Sequence, residues 1–128
     1  MSYNKYKQTA VESANREKLL LMLYEGAIRF TKRAVIATEN GNIPERCENI
    51  GKAYDIVLEL MNTLDFKVGG EVAENLEQLY MFITDELTRA NLTGKSEHLQ
   101  NVLKILETLY DGWKEAVEIL KKKDSKGA

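Results

Sequence analysis

Residues 96–120 read SEHLQNVLKILETLYDGWKEAVEIL. Their apolar side chains fall at Leu99, Val102, Leu106, Leu109, Trp113, Ala116 and Leu120, in alternating steps of three and four. Such spacing keeps a seam on one face of an α-helix, the pattern of helices packed at shallow angles. Toward the N-terminus the pattern recurs at Ile43, Cys47, Ile50, Tyr54, Val57, Met61 and Leu64, and again at Val72, Leu76, Leu79, Ile83, Leu87 and Ala90. Leu19, Leu23, Ala27, Phe30, Ala34 and Ala37 form a fourth seam. No stretch alternates with period two, so no sheet is expected.

Helix breakers separate these seams. Asn40-Gly41-Asn42 with Pro44 makes one break, Gly69-Gly70 a second, and Asn91 to Ser96, around Gly94, a third. Asn15, Asn42 and Ser96 stand where a side-chain oxygen caps a first turn, and Pro44 sits where its missing N–H costs nothing. Glu17, Glu45, Glu71 and Glu97 near helix starts, and Lys121 to Lys123 near a helix end, suit the helix dipole. Short connections between long helices favour antiparallel neighbours. The expected fold is all-α, an antiparallel up-down four-helix bundle over residues 15–121. It follows an extended N-terminal segment, residues 1–14, and precedes a frayed tail, residues 122–128.

Composition narrows the function. At 128 residues the chain holds one hydrophobic core, and a net charge of -2 calls for no polyanionic partner. The run Lys121-Lys122-Lys123 reads as a solvated helix end, so no nucleic acid is expected. Cys47 is alone, which rules out an internal disulfide and agrees with a reducing compartment. Residues 1–5 lack the apolar run of a signal peptide, and the stretch Leu19 to Tyr24 falls far short of the ~20 residues that span a bilayer. A cytoplasmic protein with no direct membrane insertion is expected.

Catalytic chemistry is missing. A di-iron bundle needs Glu-x-x-His pairs on two helices, yet the one histidine is His98, with Lys95 three residues before it. Haem or zinc needs more ligands than His98 and Cys47 supply. Cys47 on an apolar seam reads as a buried small hydrophobe, and His98 in a first turn as a solvated residue. Gly69-Gly70 has neither Walker nor dinucleotide spacing. No enzyme activity, cofactor or metal is expected.

Surplus apolar surface is the feature left to explain. Beside its seam the first helix carries Leu21, Tyr24, Ile28 and Val35, with Leu20 and Met22 between them. The last helix adds Leu103, Tyr110 and Val117 at seven-residue intervals, and the third carries Tyr80, Met81 and Phe82 in succession. A helix apolar on two faces is either central in the fold or covered by something else: a second copy in a homodimer, the chain's own N-terminus, or a foreign segment. Residues 1–14 contain Tyr3, Tyr6 and Val11 among polar residues, too sparse for an independent helix. The reading is a movable cover anchored by its tyrosines. Candidate partner-binding residues are thus Tyr3, Tyr6, Leu21, Tyr24, Ile28, Val35, Leu103, Tyr110 and Val117.

Three stretches carry a resemblance. Tyr6 to Phe30, YKQTAVESANREKLLLMLYEGAIRF, resembles the N-terminal part of the FliS family of flagellin export chaperones. Leu64 to Tyr80, LDFKVGGEVAENLEQLY, resembles that family's junction of second and third helices, and the Trp-Lys-Glu-Ala of Trp113 to Ala116 its last helix. Asn15-Arg16 replaces the family's usual Ser-Pro. The resemblance implies a bundle that binds the disordered C-terminal segment of flagellin, prevents its premature polymerisation in the cytosol and helps deliver it to the type III export gate. It also implies that Tyr3 and Tyr6 cover part of the binding surface in the free protein. A homodimeric adaptor using the surplus face is the alternative.

Overall fold

The computed structural model describes the backbone of residues 2–127 and the side chains of residues 15–123. Four helices follow in order: α1 (Ser2–Glu39), α2 (Ile43–Asn62), α3 (Phe66–Thr93) and α4 (Ser96–Gly127). The described residues include no strand. Each helix packs on its two neighbours around a ring, α1 against α2 and α4, and α3 against α2 and α4. The connections are too short for anything but antiparallel neighbours, and the expected up-down bundle is what forms.

Two helix ends follow their sequence signals. After α1, the Asn42 N–H donates to the Ala37 carbonyl (2.8 Å) and the Gly41 N–H to that of Thr38 (3.2 Å). This double closure needs a left-handed residue, which Gly41 provides at φ 69°. The Asn42 side chain then accepts from the Glu45 N–H at 3.2 Å, with Pro44 in the first turn of α2.

Elsewhere the boundaries shift. The backbone is helical from Ser2, where an extended segment was expected, because no Gly or Pro precedes Gly26 to end a helix. Asn15 is therefore inside α1 and not its cap. The α4 backbone likewise runs to Gly127, past the expected end at residue 121. Between α2 and α3 the break falls at Thr63–Asp65, ahead of the two glycines. Asp65 caps α3 by accepting from the Lys67 (3.0 Å) and Val68 (3.2 Å) N–H groups. Gly70 then kinks the helix at φ 49°, ψ -123°.

The core combines Ala27 and Ala34 of α1 with Ile50, Val57 and Leu60 of α2, Ile83 and Leu87 of α3, and Leu99, Val102 and Leu106 of α4. A fully buried Leu, Ile or Val contributes about 1.5–3 kcal/mol. Buried Thr31 is satisfied by donating to the Ala27 carbonyl at 2.7 Å. Along α3 the expected seam holds at Leu76, Ile83, Leu87 and Ala90, while Ala73 and Tyr80 are buried where Val72 and Leu79 were expected and those two are exposed. Cys47, expected in the core, is exposed, as is Ile43; burial along α2 begins only at Ile50.

Diagonal helices keep their backbones apart, and long side chains bridge the gap. Tyr24 of α1 and Tyr80 of α3, both essentially buried, share a hydrogen bond between their hydroxyls. Their rings are tilted at 52° with centroids 6.5 Å apart.

Candidate functional site

A groove of about 640 Å³ opens at the end of the bundle where α2 passes into α3. Leu19 and Leu20 of α1 form one wall, Leu64 and the early turns of α3 another, and Trp113 of α4 contributes from a third side. Its floor is Ala73, Leu76 and Tyr80, all buried; its walls include Leu19, Val68 and Val72, which are 53%, 87% and 62% exposed. Arg16, Glu17 and Asp65 bring charge to the lining.

Local sequence shapes this opening. The Asp65 cap starts α3 early, and the Gly70 kink turns it before the main helix continues. Gly69 sits close to Ala73: a Cβ there would lie 3.0 Å from the Ala73 Cβ. Beneath the groove, the Trp113 Nε1–H donates to the Tyr24 hydroxyl at 3.2 Å, and that hydroxyl pairs with Tyr80. Burial pushes the Tyr80 hydroxyl far above the ordinary phenol value, and Tyr24 upward for the same reason, so both stay protonated.

The residues expected from periodicity are placed differently. Tyr24, Val35 and Val117 are buried. Ile28, Leu103 and Tyr110 are half-buried against the core, and Leu21 is half-buried too. The Tyr110 hydroxyl donates to Glu25 Oε1 at 2.7 Å, tying α4 to α1. Much of the apolar surplus of α1 is used on two packing partners, because the helix faces both α2 and α4. None of those seven side chains lines the groove. Tyr3 and Tyr6 lie outside the residues whose side chains are described. The signal that locates the groove was the junction segment Leu64 to Tyr80, which supplies most of its lining.

A polar cluster lies toward the opposite end. Buried Glu86 on α3 accepts from the Asn101 side-chain amide at 3.0 Å and meets His98 Nδ1 at 3.1 Å. These contacts, Asn101 foremost, hold the Glu86 carboxyl below its ordinary range despite burial. His98, expected in solvent, is thus partly buried in an α3–α4 contact. Nearby Arg46 donates to the Asn91 carbonyl at 3.1 Å, joining α2 to the end of α3. Among the described residues no cluster of His, Cys, Asp or Glu is arranged to hold a metal, and no helix is long and apolar enough to cross a membrane.

The molecule is thus an all-α bundle with an open groove that is walled and floored mainly by apolar side chains. The comparisons agree with that class. The family model described as flagellar protein FliS matches residues 1–120, and the chain belongs to this family. It is 36% identical over 115 residues to the flagellar secretion chaperone FliS of Campylobacter jejuni, covering 90% of each chain. The Vibrio cholerae protein of the same name is 35% identical, with 88% of this chain and 85% of the relative covered. The Bacillus subtilis one is 31% identical, with 98% and 92% covered. A crystal structure of a bacterial flagellar chaperone superposes with a TM-score of 0.80 at 20% identity, over 91% of this chain and 95% of that one, which supports the fold. The family is one of export chaperones and not of enzymes.

Proposed function

We propose that this protein binds the disordered C-terminal segment of flagellin in the cytoplasm, prevents its premature polymerisation and helps deliver it to the flagellar type III export gate. One observation carries the reading. The three stretches that resemble flagellin chaperones are far apart in sequence, yet they meet at one groove. Arg16 to Leu20 come from the first, Leu64 to Tyr80 from the second and Trp113 from the third.

The groove suits a helix-in-groove mode, in which an amphipathic cargo helix presents contacts at i, i+3, i+4 and i+7. On the order of 2–5 kcal/mol of the interaction energy is spent on ordering a disordered cargo, which keeps release possible without a nucleotide. Residues 1–14 precede the groove wall formed by Arg16 to Leu20. In this reading they serve as its movable cover, with Tyr3 and Tyr6 as anchors displaced by a longer apolar ligand.

Calorimetric titration with a synthetic peptide of the flagellin C-terminus tests the reading. Saturable binding with a negative heat-capacity change and a gain of helix by circular dichroism supports it. Absence of binding, together with a stable homodimer in sedimentation, transfers the exposed apolar surface to self-association.

A further inference from the structure

Three cations converge on one aromatic ring where α1 meets α2. The Arg29 and Arg33 guanidinium carbons lie 5.2 and 5.5 Å from the centroid of the half-buried Phe30 ring, and the Lys52 ammonium lies 5.3 Å from it. Lys52 also pairs with Glu48 at 3.2 Å, and Lys32 pairs with Glu107 at 3.7 Å. Among the described residues no carboxylate lies within ion-pair distance of Arg29 or Arg33, and both are exposed.

Like charges four residues apart disfavour a helix, and a third cation from α2 adds to the repulsion. The ring offsets part of this cost, because its face attracts cations. A guanidinium held to a ring by its charge keeps its N–H fork free, and that fork matches a carboxylate. The two arginines are therefore preorganised for acidic groups that their own chain does not supply. Apolar surface flanks them. Met22, Arg29 and Ile36 recur every seven residues along α1, and Met22 and Ile36 are 57% and 58% exposed. Arg33, four residues after Arg29, shares that face. None of these residues lines the groove.

We propose that the outer face of α1 from Met22 to Ile36 docks an acidic amphipathic helix of a second partner protein. Its carboxylates pair with Arg29 and Arg33, and its apolar side chains meet Met22 and Ile36. This surface is separate from the cargo groove and does not depend on the cargo reading. A nucleic acid or an anionic membrane asks for a broad excess of positive charge, and the chain carries a net charge of -2. The chain's own α3 also has exposed acids, Glu71, Glu74 and Asp85, together with exposed Met81. But α1 and α3 are diagonal in the ring, so a contact between copies through these two helices would be head-to-tail and open-ended. A foreign helix closes the contact at one to one.

The test is calorimetric titration of the full chain with a synthetic Ala-based peptide of about 18 residues, long enough to be helical. It carries two Glu four residues apart, with Leu before and after them on the same face; a second peptide has Gln for each Glu. At low salt the Glu peptide should bind about five- to thirtyfold more tightly than the Gln peptide. That preference should shrink as salt is raised from about 50 mM to about 500 mM. It should vanish in the double variant Arg29→Gln, Arg33→Gln, whose affinity for a flagellin C-terminal peptide should stay at the wild-type value. A third peptide with Lys for each Glu should not bind wild type, a control that needs no variant. No preference for Glu, or a preference that survives in the double variant, overturns the proposal. A double variant that weakens the flagellin peptide to the same degree gives this face to the cargo and overturns it too. Wild-type oligomers in sedimentation that the double variant disperses assign the face to a second copy, and also overturn it.

Discussion

Replacing Gly70 by Ala should destabilise the protein, and replacing Gly51 by Ala should stabilise it. Both glycines are exposed, and a Cβ at either would meet nothing within 4 Å, so packing contributes to neither change. Only the backbone differs. Gly51 lies within the regular helix α2, where Ala is favoured over Gly by about 0.5–1 kcal/mol. Gly70 holds φ 49° and ψ -123°, a conformation in which an L side chain is strained by about 1–3 kcal/mol. A gain of about 0.4–1 kcal/mol from the stiffer unfolded chain offsets part of that. At mid-range the net for Gly70→Ala is a loss of about 1.3 kcal/mol, or a Tm lowered by roughly 4–7 °C for a domain between the 100- and 150-residue classes. Thermal melts followed by circular dichroism, with urea titration to verify an unchanged m-value, read both variants. A Gly70→Ala protein as stable as wild type would refute the claim that this kink depends on glycine, and with it the account of how the groove is shaped.

Three further outcomes are expected. Val72→Asp places a carboxylate on a wall residue that is 62% exposed; Tm should stay within the range of ordinary surface changes, about ±0.5 kcal/mol, while peptide affinity by calorimetry falls at least about tenfold. Leu106→Ala empties a fully buried site between α4 and its neighbours and should cost about 2–5 kcal/mol in urea unfolding. Glu86 titrates below its ordinary value of 4.5 when folded, so its contribution is complete above the unfolded value. As pH falls through that value the unfolded chain takes up the proton first, and the stabilisation is lost progressively down through the folded pKa. Urea midpoints measured from pH 6 to pH 3 should therefore fall less steeply for Glu86→Gln than for wild type.

The class and the topology were legible because seams of period three and four, separated by Gly, Pro and Asn, leave few other ways to bury the apolar faces. Boundaries were less so at α3, where Asp65 outweighs Gly69-Gly70: a carboxylate accepting from two N–H groups starts a helix, and one glycine then bends it without ending it. The site was least legible. Periodicity measures how apolar a helix is and not which neighbour covers each face, so the second stripe of α1, with Tyr24 and Val35, reads as free surface when it is core. Ala73 shows the reverse error, a small residue that gives a weak signal and lies in the floor of the groove. The burial of His98 depends on Glu86, twelve residues earlier on another helix, and no local pattern reports that pairing.

The distribution of packing explains why the groove lies where it does. Ile50 to Leu60, Ile83 to Ala90 and Leu99 to Leu106 are dense in buried residues, and α4 beyond Leu106 buries little until Val117. Tertiary packing supplies most of the stability of such helices, so the well-packed end can sustain the bundle. The other end is then free to leave Leu19, Val68 and Val72 uncovered. Yet that end is not loose, because Tyr24, Tyr80 and Trp113 link α1, α3 and α4 through hydrogen bonds across the space where backbones do not meet. The buried hydroxyl pair and the indole N–H thus fix the spacing of α1, α3 and α4 beneath apolar walls, which defines the groove's shape without the walls having to pack on one another.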